Sequence, residues 1–310
     1  MLRRAQLFIH SHLHGHPEPN GGIVMLDIFL QVIINGILVS GIYALAASGL
    51  SLIFGVMGVA NAAHASLAIL SAYITYTLQT SLGINPLYGM IITGILFFGL
   101  GIVLYRFLVS KVEELMAFTL LYMFSIFITN SIVFIWSNLY RQINVPQLSG
   151  SFLLGGLYLP KDRTVTFLIA ISTILMIAYV LKATYFGKAV RATMQNPIGA
   201  SLMGINVSRI KLYVFGIGIF LSAIAGVMMG IIYAFSPTFG DIWIGLLFAI
   251  VVFGGLGSLT GTFIASLIIG IATSLTSAYL SSVWAPLIAF IILILTLWIK
   301  PTGLMGKMLK

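Results

Sequence analysis

Two long stretches without a charged residue dominate this chain. No Asp, Glu, Lys or Arg occurs from Ile28 to Tyr105, nor from Ile242 to Ile299. A helix that crosses the hydrocarbon core of a bilayer needs about 20 apolar residues, so each stretch can supply several crossings. Only 7% of the 310 residues are charged and 60% are hydrophobic, which excludes a water-soluble enzyme, a disordered protein and a nucleic-acid-binding domain.

Glycine and proline divide the apolar sequence into eight or nine predicted membrane segments. Breaks are expected at 55–58, 83–86, 257–261 and 281–286. Because the apolar runs are far longer than barrel strands, we predict an all-α, polytopic transmembrane bundle with some broken or re-entrant helices. The predicted segments lie near 28–54, 58–79, 87–108, 115–136, 164–181 and 212–235, with three spans, or two and a re-entrant segment, in 242–299.

Basic residues predict the orientation of the bundle. The loop 182–211 contains five Lys or Arg residues and no acid, and the tail after Ile299 contains three Lys residues. Loops rich in Lys and Arg remain in the cytoplasm, so both regions are expected there, which also explains the net charge of +9. Arg141, Lys161 and Arg163 then fall outside, and they fit this rule least well.

Residues 1–24 are expected to lie outside the bundle, which we assign to 25–310. His10, His12, His14 and His16 alternate along this segment. We interpret residues 1–24 as a disordered extension, with Met25 as an alternative start. The other interpretation is a loose metal-binding His tract.

The sequence lacks the motifs of the common catalytic and nucleotide-binding sites. It has no P-loop, HExxH or GxSxG motif and no Cys. Asp27 and Asp241 are expected at the ends of spans, so no carboxylate is predicted inside the membrane for ion-coupled transport. We therefore predict no enzyme activity, cofactor or metal site, and any energy for transport would come from another subunit.

The loop 182–211 is predicted to contain two short helices. Gly187 opens the first, Asn196 and Pro197 interrupt it, and Gly204 ends the second. The apolar residues at 190, 194, 198, 202 and 203 are expected to form one stripe. Such helices either contact another protein or lie on the lipid surface, and residue chemistry alone does not separate the two.

Three stretches resemble the permeases of bacterial high-affinity branched-chain amino acid ABC transporters. The first is G-x-x-x-R-A followed by N-x-x-x-A-x-x-x-G-I-N, at 187–206. The second is YALAASGLSLIFGVMGVANAAH at 43–64, and the third is VFGGLGSLTG at 252–261. The resemblance covers about 25–305. The chain departs from the family pattern at Ile198-Gly199, where many relatives have an acidic residue, and at Ala65, where many relatives have Gly.

The resemblance implies an inner-membrane permease subunit that forms the pathway for leucine, isoleucine and valine. The implied partners are two ATP-binding cassette subunits, which hydrolyse the ATP, a second permease subunit and an extracytoplasmic substrate-binding protein. It also implies that 182–211 is a cytoplasmic coupling segment. The implied ATPase-coupling residues are Gly187, Arg191, Ala192, Asn196, Ala200, Gly204 and Asn206.

Glycines and buried polar residues provide the candidates for the pathway and for breaks in the helices. Asn61 and His64, one helical turn apart, must be hydrogen-bonded at membrane depth, either as a structural pair or along the pathway. The residues 54–67 are weakly repeated at 253–267; if the repeat is real, both breaks should meet near the membrane midplane. The candidates are Gly55, Gly58, Asn61, His64, Gly254, Gly255, Gly257 and Gly261.

Small residues recur every fourth position in the sixth span, at Gly218, Ser222, Gly226 and Gly230. This ladder allows close helix packing, either within the chain or against the second permease chain. The substrate remains open at this point. A permease for urea, short amides or another amino acid would look alike, and a stand-alone channel or a membrane scaffold are further alternatives.

Overall fold

The computed structural model describes residues 21–154 and 156–306. The His tract lies outside them. We number eleven α-helices along the described chain. They are α1 Gly21–Met57, α2 His64–Leu82, α3 Pro86–Leu104, α4 Glu114–Trp136, α5 Lys161–Ala183, α6 Tyr185–Gln195, α7 Pro197–Leu202, α8 Val207–Ile232, α9 Phe239–Gly254, α10 Leu259–Tyr279 and α11 Ala285–Ile299.

Seven helices of the described chain are long and apolar enough to cross a membrane. They include α1, α3, α4, α5, α8, α10 and α11, with α3 continued by one π-helical turn and α11 preceded by one 3₁₀ turn. Two further helices of the bundle are not among these seven: α2, which is rich in Ser and Thr, and α9, which has only 16 residues. The chain is therefore a polytopic helical membrane protein, and the total of eight or nine segments stays a prediction.

Helix α8 forms the centre of the bundle. Within its most apolar window 89% of the residues are buried, against 17% for α4 and α5 and 6% for α11. It packs against α1, α2 and α3, while α10 packs against α1, and α11 covers α9 and α10. The exposed apolar faces of α4, α5 and α11 form the outside of the bundle, as expected for a protein dissolved in lipid.

A short β-hairpin, absent from the all-helical prediction, connects α4 to α5. Strand β1, Ser151–Leu154, pairs antiparallel with β2, Leu157–Pro160. The Gln31 side chain of α1 fixes it, since its amide accepts from the Tyr158 N–H at 2.9 Å and donates to the Tyr158 carbonyl. These few residues do not change the helical class of the fold.

The helices end at the glycine and proline signals in most cases. Gly58 follows α1 with φ of +70°, and Gly83 follows α2 with φ of +66°. Asn85 then caps α3, whose first residue is Pro86. Both glycine breaks differ from the expectation. The early one spans 58–63, so Gly55 lies inside α1, and the late one spans 255–258, so Gly261 lies in the first turn of α10.

Candidate functional site: the coupling segment and the glycine breaks

The coupling segment, residues 182–211, folds into the two expected short helices. Gly187 is buried in α6, where a Cβ would lie 2.0 Å from the Leu181 carbonyl oxygen at the end of α5. The guanidinium of Arg191 donates to that same carbonyl. Both residues therefore fold α6 back against α5, and Ala192 beside them is half-buried.

The other residues of the family pattern shape the turns of the segment. The Asn196 side chain accepts from the Gly199 N–H at 2.9 Å, which caps α7, and Asn206 caps α8 through the Arg209 N–H at 3.0 Å. Ala200 is buried, and Gly204 has φ of +82°. The pattern thus sets the conformation of the segment, and its side chains mostly contact this chain.

The prediction of a single apolar stripe along this segment is wrong. Val190 is 1% exposed and Met194 is half-buried, whereas Ile198 is 73% exposed and Leu202 and Met203 are each 83% exposed. The break at Asn196–Pro197 separates the two helices, so the two halves of the expected stripe face different ways. We call Ile198, Leu202 and Met203 the apolar knob. Sequence reasoning named these residues but did not single them out as a contact surface.

The sequences at the two glycine breaks meet beside α6, where Gly55, in the last turn of α1, lies against Gly257. A Cβ added to Gly55 would lie 2.8 Å from the Gly257 Cα, and one added to Gly257 would lie 3.0 Å from the Gly55 Cα. The methyl group of Met194 fills the remaining space, 2.5 Å and 3.1 Å from these two positions. The repeated sequences therefore do come together, but at the ends of α1 and α9 beside the coupling segment.

The second break is also tied to the C-terminal residues of the described chain. Leu304 N–H donates to the Phe253 carbonyl at 2.8 Å, and Met305 N–H donates to the Gly254 carbonyl at 3.1 Å. A Cβ on Gly255 would lie 2.3 Å from the Gly306 nitrogen. Gly254 and Gly261 pack backbone to backbone, since a Cβ on Gly261 would meet the Gly254 oxygen at 1.9 Å. Only glycine fits these contacts.

Asn61 and His64 are fully buried at the start of α2. The His64 Nε2 donates to the Ala46 carbonyl of α1 at 2.9 Å, and the Asn61 Oδ1 accepts from the Ala63 N–H at 3.1 Å. The Asn61 Nδ2 and the His64 Nδ1 have no hydrogen-bond partner among the described residues. Both residues hold the break between α1 and α2, and neither is open to an aqueous path in this conformation.

The small-residue ladder of α8 packs within the chain. Gly218 contacts Gly49 and Ile53 of α1, and the Ser222 hydroxyl donates to the His64 carbonyl at 2.6 Å. A Cβ on Gly226 would lie 2.0 Å from the Ala68 oxygen of α2, and Gly230 contacts Phe235. In this conformation the ladder serves contacts inside the chain, and its four residues are buried.

Titratable groups do not gather into a metal site in the part of the chain that the structure describes. No group of three or more His, Cys, Asp or Glu side chains occurs there. The glycine run 254–261 contacts the backbone of α10 and of the C-terminal residues.

Comparisons with known proteins agree on one family. A family model described as branched-chain amino acid transport system / permease component matches residues 32–297. The high-affinity branched-chain amino acid transport system permease protein LivH of Escherichia coli K12 is 30% identical over 299 residues, covering 90% of this chain and 96% of that protein. The probable LivH of Methanocaldococcus jannaschii is 29% identical over 300 residues, covering 92% and 95%.

A solved structure supports the same architecture at the level of the fold. PsaBC from Streptococcus pneumoniae, in complex with Fab, superposes with a TM-score of 0.52 at 13% identity, covering 96% of this chain and 97% of that chain. At this identity the likeness concerns the fold alone. The family model spans both glycine breaks and the whole coupling segment. The chain therefore belongs to the family of branched-chain amino acid transport system permease components.

Proposed function

We propose that this chain forms the membrane pathway of an ATP-driven importer for branched-chain amino acids. Two ATP-binding cassette subunits would supply the energy, a second permease subunit would complete the pathway, and an extracytoplasmic binding protein would deliver the substrate. The relatives support the substrate class. They are named as permeases of branched-chain amino acid transport, and this chain matches them over nearly their full length. The permease itself needs no catalytic residue.

The apolar knob is the observation that carries the proposal. Three large apolar side chains, each more than 70% exposed, stand on a segment whose other face is fixed to the bundle. Lys188 and Gln195, both exposed, lie on the preceding helix. A compact apolar surface of this kind suits a groove on another protein, and we assign the ATPase subunit to it.

Met194 offers a route from the knob to the membrane helices. It lies in the same segment, and its methyl group contacts Gly55 and Gly257, where α1 and the α9–α10 connection meet. A displacement of α6 would therefore change the packing of both breaks at once. Coupling of this kind requires that ATP binding favours one of two arrangements of these helices.

We further propose that the coupling segment and the C-terminus face the cytoplasm of a bacterial inner membrane. The loop 182–211 contains five basic residues and no acid, and three Lys residues follow Ile299. The α9–α10 break packs against both Met194 and the C-terminal residues, which is consistent with one common side.

A charge on the apolar knob tests the proposal directly. Leu202→Asp should abolish both co-purification of the ATPase subunits and ATP-driven uptake of leucine, because it places a charge in the proposed apolar contact. Leu154→Asp serves as the matched control, since Leu154 is 70% exposed on the hairpin, which Gln31 holds at the opposite end of α1 from the Gly55–Gly257 contact. That variant should retain the ATPase subunits.

The same purification separates the alternatives. Leu202→Asp with normal ATPase association and normal uptake would refute the assigned contact. A wild-type chain that moves substrate without any ATPase would indicate a stand-alone channel. The co-purified binding protein, titrated with leucine, isoleucine, valine and urea, distinguishes an amino acid importer from one for urea or short amides.

A further inference from the structure

Asp241 lies in the first turn of α9, and this end of the helix is inside the bundle. A Cβ on Gly240 would lie 3.4 Å from the Cα and the nitrogen of Ser66, in the first turn of α2. The two helices therefore begin side by side. The sequence predicts Asp241 at the end of a span and hence no carboxylate inside the membrane, whereas the contacts of His64 and the length of α9 put this end of α9 far from the membrane surface.

Contacts of His64 give the depth of this point. His64 bonds to Ala46, which is 11 residues before the end of α1 at Met57, or about 16 Å along the helix axis. It also accepts a bond from Ser222, 15 residues after the start of α8 and about 22 Å along that helix. Since the hydrocarbon core is about 30 Å thick, the starts of α2 and α9 lie well within it.

The length of α9 agrees with this depth. Its 16 residues span about 24 Å, which is shorter than the core. Its last residue, Gly254, is beside Gly261 and the C-terminal residues. A helix that ends at the side of the coupling segment and extends about 24 Å therefore begins inside the membrane.

The Asp241 side chain is exposed on the isolated chain. Its neighbours Gly240 and Trp243 are buried, whereas Ile242 is 62% exposed. A carboxylate at this depth is too costly to face lipid tails, so it faces a water-filled cavity or another polar group. The N–H groups of the first turn of α9 favour a negative charge at this place.

We propose that Asp241 lines the substrate pathway and binds the ammonium group of a transported α-amino acid. The inference rests on the proposed importer function and adds a substrate-binding residue to it. A neutral substrate such as urea would offer no positive charge for this carboxylate. The proposal therefore connects one residue of the permease with the chemical class of the substrate.

Uptake by the assembled importer tests whether transport needs the negative charge of Asp241. Asp241→Asn should slow the uptake of leucine at least about tenfold, the order expected when a bond between charged groups is lost. Association with the ATPase and second permease subunits should remain normal, and Asp241→Glu should restore part of the rate. Asp162→Asn is the matched control, because Asp162 is also in the first turn of a helix, α5, and it should transport like the wild type.

Water access tests the position independently of transport. The chain has no Cys, so Ile242→Cys can be labelled with a water-soluble thiol reagent in the assembled importer, with Met176→Cys on the exposed face of α5 as the lipid-facing control. We expect labelling at 242, slowed by leucine with its binding protein, and none at 176. Equal lack of labelling at both positions, or normal uptake by Asp241→Asn, would overturn the proposal.

Loss of the second permease subunit from Asp241→Asn would also overturn it, because the carboxylate would then bind a cation of the partner. A failure of the proposed function is recognised differently. In that case the wild-type chain itself would show no ATP-driven uptake, whatever residue occupies position 241.

Discussion

Met194 brings the coupling segment into contact with both glycine breaks. Its side chain is half-buried, and its methyl group lies against Gly55 and Gly257, two positions that have no room for a side chain of their own. A flexible, unbranched side chain can fill such an irregular gap. At the scale of a residue, the proposed transmission from the ATPase subunit to the membrane helices depends on this contact.

Removal of the Met194 side chain should uncouple the transporter. Met194→Ala leaves the apolar knob intact, so we expect normal ATPase association but strongly reduced uptake for each ATP hydrolysed. Met194→Leu conserves most of the volume and should keep more than half of the uptake. Met176→Ala, on the exposed face of α5, is the control. Tight coupling in Met194→Ala would show that this contact is not the route.

Helix α8 holds the bundle together through close backbone contacts on several sides. Gly218 and Gly226 let α1 and α2 approach it, and Gly216 lets α3 approach on another side. In lipid, helices associate through such packing and through hydrogen bonds, because apolar burial alone offers little advantage. At the scale of an element, stability therefore depends on glycine at these positions of α8, where a side chain would push the neighbouring helices away.

A methyl group on this face should separate two helices. Gly226→Ala places a Cβ 2.0 Å from the Ala68 oxygen, and we expect a loss of about 1–3 kcal/mol in stability. Gly99→Ala in α3 is the matched control, since no heavy atom of the described residues lies within 4 Å of its Cβ. Thermal unfolding in detergent should show a lower midpoint for Gly226→Ala than for Gly99→Ala. Equal midpoints would contradict the packing.

The whole molecule has one end where the breaks, the coupling segment and the C-terminal residues meet, and another where the hairpin lies. Gln31, which holds the hairpin, is 26 residues before Met57, about 39 Å along α1. This distance exceeds the hydrocarbon thickness, so the hairpin lies at or beyond the opposite headgroup region. The two ends are therefore expected on opposite sides of the membrane.

Single cysteines can establish this orientation, because the chain has no Cys of its own. We expect Gln195→Cys in α6 to react with an impermeant thiol reagent only from the cytoplasmic side. Gln147→Cys, near the hairpin, should react only from outside. Both side chains are exposed. Reaction of both from the same side would refute the arrangement, and the reverse pattern would invert the proposed orientation.

The sequence by itself determined that the chain is a helical membrane protein and where most helices end. Long uncharged runs allow few other structures in lipid, and the Gly and Pro signals act through local backbone conformation, as at Gly58, Gly83 and Pro86. The three family motifs, which lie in continuous stretches, allowed the family to be recognised. They also marked the coupling segment, although which side chains it exposes depends on how it folds back.

Only the tertiary structure decided which residues meet and at what depth. Gly55 and Gly257 meet although they are about 200 positions apart in the sequence. The expected apolar stripe is buried on α6 and exposed on α7, because the chain changes direction between the two helices and the helical period does not encode that change. The depth that we infer for Asp241 follows from contacts of α2 with α1, α8 and α9. Such contacts depend on packing between helices that are distant in the sequence, whereas membrane insertion depends on local apolar composition. The sequence alone therefore predicts membrane insertion but does not predict these contacts.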